Sequence, residues 1–340
     1  MTKRKSELSL FNILMCLAVV FVHVLSWTIG GMDKGSLQYV FVLVPWRLLQ
    51  FVVQGFIFLS AVKLFLSKKD TDYEKFVAGR YKRVVIPYVL WVLVYYAYFI
   101  MTYGYTFSWD KLGEYLIFGT ICSHFYFVVI IMQFYLNMPL FKWLGKRVDL
   151  WLMCAVSVVF TALFKQYVHF QYDDRVFPAY LCYFVIGAAV GMNYERVCAF
   201  LKRRFYAVLP PFLVFAVADG YLTWRAQVHG DTFKYIEIVH MGYCLAAIFF
   251  FFTLFLLLGE GRKLPRHLEL CDRSSYSIYL SHVLFIYIAN ALAVRIGIFG
   301  MAENLVFRFV FTYAVTLGLC MTVAAISERI KNGKQTSRSV

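Results

Sequence analysis

Long apolar segments alternate with short polar connections along the whole chain. A helix that spans a bilayer needs about 20 predominantly apolar residues, and ten segments approach this length. They run near residues 8–28, 48–66, 85–103, 122–141, 150–165, 177–193, 206–224, 236–258, 274–294 and 304–326. The pattern predicts an all-α fold, a polytopic integral membrane bundle of about ten transmembrane helices.

The density of Lys and Arg rises and falls from one connection to the next. If the N-terminus is cytosolic, the inner connections and the two ends hold 24 of the 34 basic residues, while the outer connections hold 9 and Lys63 lies within the second segment. An excess of positive charge on cytosolic loops orients membrane proteins. We therefore predict a multi-pass protein of the cell membrane, with both ends in the cytosol and a short tail over about 327–340.

Composition supports this class and excludes others. The chain is 61% hydrophobic and only 16% charged, against about 25% charged residues in soluble domains. The net charge of +15 is dispersed among apolar segments, which argues against a nucleic-acid partner and for a lipid bilayer. No soluble appendage stands out, so residues 1–340 are expected to form a single integral domain. The cysteines and histidines lack ligand-pair spacing, and no metal site is predicted.

His23 is the clearest polar residue inside an apolar segment, within LAVVFVHVLSW. It lies about 15 residues, or about 22 Å, from the cytosolic end of its helix. An imidazole titrates near neutral pH and can remove a proton from a sugar hydroxyl while that oxygen attacks a thioester. The alternative is a structural histidine that is hydrogen-bonded to a neighbouring helix. Position alone favours neither the catalytic nor the structural interpretation.

A basic stretch, Arg80-Tyr81-Lys82-Arg83, precedes the third segment on the predicted cytosolic side. Guanidinium groups bind phosphate in a bidentate manner, so this pair suits a phosphorylated cofactor such as coenzyme A. Anionic lipid headgroups are the alternative, which charge alone favours.

Four more ionisable side chains lie in or beside apolar segments, where such groups are costly and mark candidate functional sites. They are Asp219, His124, His240 and His282. The first three fall in the predicted outer half, where they could line a polar cavity with His23, and Asp219 could orient or charge a histidine. The serines around His282 predict helix packing, and the histidine itself is the candidate.

Six strings of the chain occur in the order of a known family. They are VHVLSW, VVQGFIFLSAVKLFL, GRYKRVVIPYVLW, HFYFVVIIMQFYLNMPLF, YFVIGAAVG and SSYSIYLSHVLF. In them the chain resembles the acyltransferase 3 family of membrane-bound O-acyltransferases, which modify surface polysaccharides and related glycans. The likeness covers nearly the whole chain.

The resemblance implies an acyl-CoA donor on the cytosolic side and a glycan or lipid-linked sugar acceptor on the outer side. It also implies that His23 matches the family's catalytic histidine and that Arg80 and Arg83 match its Arg-x-x-Arg motif. One position departs from the pattern, because Asn12 stands where many members carry Arg or Lys eleven residues before the histidine.

The HFYF string, which contains His124 and Tyr126, is similar to a subgroup linked to intercellular adhesin glycans. In that subgroup succinyl transfer is an alternative to acetyl transfer. We expect O-acyl transfer, with acetyl as the first candidate group. Two alternatives stay open: a transporter or flippase for glycan intermediates, and an inactive assembly or sensing subunit, which Asn12 suggests.

Overall fold

The computed structural model describes residues 5–67, 72–259, 261–297 and 305–336, and no strand occurs among them. In these ranges the chain forms fifteen α-helices joined by short turns, 3₁₀ segments and one π-helical segment. The α-helices are α1 Ser6–Ile29, α2 Leu37–Leu49, α3 Val52–Leu66, α4 Tyr73–Arg80, α5 Ile86–Tyr103, α6 Trp109–Phe118, α7 Tyr126–Leu136, α8 Met138–Arg147, α9 Leu150–Tyr167, α10 Leu181–Met192, α11 Tyr194–Arg203, α12 Phe205–His229, α13 Ile236–Gly259, α14 Arg266–Arg295 and α15 Leu305–Thr336.

Eight stretches of helix in the described ranges are long and apolar enough to cross a membrane, and two bent pairs raise the number to ten if each pair is one span. The bent pairs are α6 with Ser123–Leu136, at 51°, and Phe177–Met192 with α11, at 99°. Each of the ten predicted segments overlaps one of these candidates. The predictions of an all-α fold and of a multi-pass membrane protein are therefore confirmed.

The chain divides into two compact units. Unit 1 comprises Met1–Val52, Phe205–Lys234 and Phe249–Val340, and unit 2 comprises Val53–Arg204 and Tyr235–Ile248. That residues 1–340 act as a single acyltransferase domain stays a prediction.

In unit 1, α14 packs against both α1 and α15, while α2 packs against α1 and α12. Two polar contacts between α1 and α14 show that these helices run in the same direction. Asn12 lies against Asp272, and farther along both helices His23 lies against His282. The pairing of α1 with α14 thus positions the histidine that the sequence singled out.

In unit 2, α10 approaches the backbone of α3 through two glycines four residues apart. A Cβ atom at Gly187 would lie 2.5 Å from the Phe58 carbonyl oxygen, and one at Gly191 would lie 2.7 Å from that of Val62. Glycines with this spacing let membrane helices approach closely. The contact holds α3, whose last turns line a cavity described below.

Several predicted boundaries were wrong. The second span was predicted to begin at residue 48, but α2 begins at Leu37, where the Ser36 hydroxyl accepts a hydrogen bond from the Tyr39 N–H. The fourth was predicted to end at 141, but α7 ends at Leu136, because Pro139, at the start of a new helix, lacks an N–H and its ring would clash with the carbonyl four residues earlier in a continuous helix.

Two further boundaries differ near the C-terminal end. The ninth span was predicted to begin at residue 274, but α14 begins at Arg266, immediately after Pro265. The predicted tail over 327–340 is helical as far as Thr336, while residues 337–340, like residue 304 at the start of the tenth predicted segment, lie outside the described residues.

Candidate active site

The rings of His23 and His282 are in contact in unit 1. Their centroids lie 5.0 Å apart, with the ring planes inclined by 56°. His282 is fully buried in α14, while His23 on α1 is half-buried. An ionisable pair in a helical interior that keeps partial access for a ligand is the arrangement expected of a proton-transfer site.

Backbone contacts fix the tautomer of His282 in its neutral form. Its Nδ1 atom lies 2.7 Å from the carbonyl oxygen of Tyr279 and 3.2 Å from that of Ile278. Carbonyl oxygens only accept hydrogen bonds, so Nδ1 carries the proton and Nε2 carries the lone pair. His282 is therefore a hydrogen-bond acceptor at Nε2, on the ring that lies against His23.

Aromatic side chains surround α1 just beyond His23. The ring of Trp27 packs edge-on against Tyr287 of α14, with centroids 5.0 Å apart. The Trp46 indole N–H of α2 donates a hydrogen bond of 2.8 Å to the Ser26 hydroxyl. These contacts hold α1 against both α14 and α2, about one helical turn beyond the histidine.

Asn12 lies near the opposite end of the same helix pair. Its side-chain amide donates to the Asp272 carboxylate at 2.8 Å and to the Ser275 hydroxyl at 3.0 Å, and Ser9 donates to the other Asp272 oxygen at 2.8 Å. Asn12 is eleven residues from His23, about 16 Å along an α-helix and on the same face. The geometry places Asn12 as a tether between α1 and α14, away from the histidine pair.

Asp219 is fully buried on α12 and accepts a hydrogen bond of 3.2 Å from the Arg47 guanidinium of α2. A buried carboxylate needs such compensation. The structure thus gives Asp219 a cation as a partner. Its predicted catalytic role stays a prediction.

Arg80 lines a cavity of about 640 Å³ in unit 2, between the end of α3, α4 and the start of α8. Its guanidinium carbon lies 5.1 Å from the ring centroid of Phe76 and 4.5 Å from that of Tyr135. The Tyr73 hydroxyl also ties α4 to α7 by donating to the Leu136 carbonyl at 2.8 Å. Arg80 is therefore held in place at the wall of a basic cavity.

Arg83 does not line that cavity and is exposed. Residues Tyr81–Val85 form a π-helical turn, in which the Ile86 N–H reaches back to the Tyr81 carbonyl. Pro87 follows this turn. Because proline lacks an N–H and clashes with the carbonyl four residues earlier, the regular α-helical hydrogen-bond pattern is interrupted here. Arg83 thus lies within the π-helical turn, one turn beyond Arg80, and the shared role of the two arginines as phosphate ligands stays a prediction.

The remaining candidates lie in unit 2. His124 is buried in the 3₁₀ turn before α7, against the rings of Tyr95 and Phe125. Tyr126 is half-buried, with its ring 6.4 Å from that of Tyr180. His240 is buried on α13, with Nε2 3.5 Å from the Cys244 sulfur. Their functional roles stay predictions.

Three residues emerged only from the structure. Asp272 contacts Asn12, Arg47 contacts Asp219, and Lys142 lines the cavity beside Arg80. The spacing of Asn12 and His23 was one available signal in the sequence. Because residues eleven positions apart share a helix face, both could have been assigned to contacts with one partner helix.

The fold and these sites define a multi-pass membrane protein that carries acid–base side chains within its helices. A family model identifies the kind of enzyme. Residues 6–325 match the acyltransferase 3 model, which describes an acyltransferase domain. The chain belongs to this family and is a membrane acyltransferase, as its resemblance to the family predicted.

Curated relatives carry two kinds of name. A Staphylococcus aureus protein, provisionally named a poly-beta-1,6-N-acetyl-D-glucosamine export protein, is 27% identical over 96% of this chain and 93% of its own. A Staphylococcus epidermidis protein with the same name is 21% identical over 95% and 91%. A Bacillus subtilis protein, provisionally named a membrane-bound acyltransferase, is 24% identical over 84% and 82%. No solved structure matches the chain.

Proposed function

We propose that this protein transfers an acetyl group from cytosolic acetyl-CoA to a hydroxyl of a cell-envelope glycan or lipid-linked sugar. The observation that carries the proposal is the contact between His23 and His282, 5.0 Å between ring centroids, in a chain of an acyltransferase family. The names of the relatives, which concern an acyltransferase and a polysaccharide, support the acceptor class.

The proposed orientation places the donor and acceptor on opposite sides. Basic residues concentrate in alternate connections, which favours cytosolic N- and C-termini. Arg80 is then on the cytosolic side, and His23 lies in the outer half of α1. The parallel course of α1 and α14 agrees with this count, since both would run outward.

In the proposed reaction His23 is the general base. It takes the proton of the acceptor hydroxyl while that oxygen attacks the thioester carbonyl, and the collapse of the tetrahedral intermediate breaks the carbon–sulfur bond. The proton then passes to the leaving thiolate of coenzyme A. His282, an acceptor at Nε2, orients His23 as a positioning residue.

The donor is proposed to bind through its phosphates. Arg80 supplies a guanidinium packed against two aromatic rings, and Arg83 supplies a second, exposed one. Planar guanidinium groups recognise phosphate in bidentate fashion. Succinyl-CoA is the alternative donor, and a side-by-side transfer assay with both thioesters distinguishes them. Asp219 is proposed to act by holding Arg47.

The test is transfer of radiolabelled acetyl from acetyl-CoA to envelope glycans in membranes. General-base catalysis contributes about 10²–10⁴-fold, so His23→Ala should lower transfer by at least about 100-fold. The Arg80→Ala/Arg83→Ala variant should raise the KM for acetyl-CoA. His267→Ala is the control, because His267 is exposed at the start of α14. Normal acylation by both variants, at equal protein levels, would contradict the proposal.

Export of a glycan intermediate is the second candidate, favoured by the name of the staphylococcal relatives. Asn12, at the usual basic position, would also suit a chain that binds glycan without transferring an acyl group. An exporter does not need coenzyme A. Glycan release that is unchanged in Arg80→Ala and in acetyl-CoA-depleted cells would favour export. Glycan release that does not depend on this chain at all would favour an assembly subunit.

A further inference from the structure

The cavity beside Arg80 carries more positive charge than one arginine supplies. It is bordered by the end of α3, by α4 and by the start of α8. Among the described residues of its lining, Lys63, Arg80 and Lys142 contribute three cations from these three helices, and Asp72 contributes one carboxylate. The cavity therefore favours an anion with phosphate groups at more than one point.

Aromatic rings form another part of the wall. Tyr73 and Phe76 both line the cavity, and Tyr73 is 40% exposed. The guanidinium carbon of Arg80 lies over the rings of Phe76 and Tyr135, whose planes are perpendicular to each other, and guanidinium N–H groups bind phosphate in bidentate fashion. A ligand with a flat aromatic group beside its phosphates matches this lining.

The size of the cavity fits a ligand of nucleotide dimensions. Its volume of about 640 Å³ lies within the range of about 300–1,000 Å³ that is typical of small-molecule sites. The nucleotide end of coenzyme A has an adenine ring, a 5′-diphosphate and a 3′-phosphate, and so presents phosphate at two separate points. The headgroup of phosphatidylglycerol presents one phosphodiester and no aromatic ring.

We propose that this cavity binds the nucleotide end of the acyl donor and that Lys63 and Lys142 select its 3′-phosphate. The inference rests on the proposed function, in which the donor is an acyl-CoA. Arg80 binds the diphosphate, and the adenine ring packs against Tyr73 and Phe76. Lys63 and Lys142 are thus specificity-determining residues, which neither the sequence motifs nor the relatives indicate.

The first experiment measures binding of adenosine 3′,5′-bisphosphate and of 5′-AMP to the purified full-length protein in nanodiscs of neutral lipid. We expect the bisphosphate to bind at least about 10-fold more tightly, and Lys63→Ala and Lys142→Ala each to remove most of this preference. Lys146→Ala is the matched control, since Lys146 lies one turn farther along α8 and does not line the cavity. Lys142→Arg, which keeps the charge, should keep the preference.

Two binding results would overturn the inference. Equal affinity of the wild type for the bisphosphate and 5′-AMP would show that no group selects the 3′-phosphate. The second result would assign the cavity to an anionic headgroup. In it, bisphosphate binding is lost when phosphatidylglycerol replaces the neutral lipid, and the Lys63→Ala and Lys142→Ala variants show no response to nucleotide. Thermal unfolding of each variant shows that a loss of binding is not a loss of folding.

The second experiment separates this inference from the proposed function. Acetyl-CoA and its 3′-dephospho analogue are compared as donors, and the wild type should show a KM at least about 10-fold lower for acetyl-CoA. If transfer occurs but Lys63→Ala and Lys142→Ala leave that ratio unchanged, the cavity assignment fails and the function stands. If the bisphosphate binds as expected but no acyl transfer is detected, the function fails and the cavity assignment stands.

Discussion

Asn12 shows what a single side chain does in this fold. Its amide and the Ser9 hydroxyl occupy both oxygens of the Asp272 carboxylate, which is 8% exposed. This joins the ends of α1 and α14 that lie farthest from His23. A neutral amide therefore takes the position of the family's cation, and its partner is a carboxylate on the same helix that carries His282.

The first prediction concerns this tether. Hydrogen bonds to charged groups contribute about 1.5–3 kcal/mol, so Asn12→Ala should lower the stability by about this amount, and Asn12→Asp by more, because two carboxylates would meet. Asn12→Arg should be tolerated as an ion pair with Asp272. Thermal unfolding in detergent measures the change, with Asn193→Ala, at an exposed position, as control. A Tm unchanged in Asn12→Asp would refute the tether.

The second prediction separates a structural Asp219 from a catalytic one. Removing one member of a buried ion pair costs about 3–5 kcal/mol, while replacing both with apolar groups costs far less. We expect Asp219→Ala to lower both Tm and activity, and Asp219→Leu/Arg47→Met to recover the Tm. Recovery of acyl transfer in the double variant would support the positioning role. A stable double variant without any transfer would instead give Asp219 or Arg47 a direct part in the reaction.

At the level of helices, the close contact of α3 and α10 orders the wall of the basic cavity. Positions 187 and 191 lie directly over the carbonyl oxygens of Phe58 and Val62. The Phe134 and Phe184 rings stack in the same unit, with centroids 4.2 Å apart. Any side chain on the glycine face must push α3 away, because backbone atoms cannot rotate aside.

The third prediction follows from this contact. Gly191→Leu should displace α3 and reduce both the Tm and nucleotide binding at Lys63, which lies one residue beyond the carbonyl that Gly191 approaches. Gly318→Leu on α15 is the control, since a Cβ atom there would meet nothing within 4 Å. A variant at Gly191 that unfolds and binds like the wild type would show that the contact does not order the cavity.

The sequence predicted helices well and their contacts poorly. Hydropathy located each candidate span of the described residues, because lipid-facing and buried residues of a membrane helix are both apolar. It missed the first turns of α14, since RHLELCDR reads as a polar loop although Asp272 within it is buried. His23 stood out as an ionisable group in an apolar run, but its pairing with His282, 259 positions later in the chain, depends on which helices pack together.

Considered as a whole molecule, the protein is proposed to separate donor and acceptor by the orientation of its helices. The fourth prediction tests that orientation. Single cysteines at Ser36, in the first outer connection, and at Lys146, in the second inner connection, are introduced into a variant without the native cysteines. A membrane-impermeant maleimide should label position 36 in intact cells and position 146 only after lysis. The reverse pattern would invert the topology.

The central claim is acyl transfer from a cytosolic thioester to an outer glycan by way of His23. The most direct measurement uses purified protein in sealed proteoliposomes, sorted for one orientation, with radiolabelled acetyl-CoA on the side of Arg80 and a glycan acceptor on the other side. We predict that label appears on the acceptor with the wild type and with His267→Ala, and falls at least about 100-fold with His23→Ala. Equal labelling by His23→Ala, or labelling only when donor and acceptor share one side, would contradict the account.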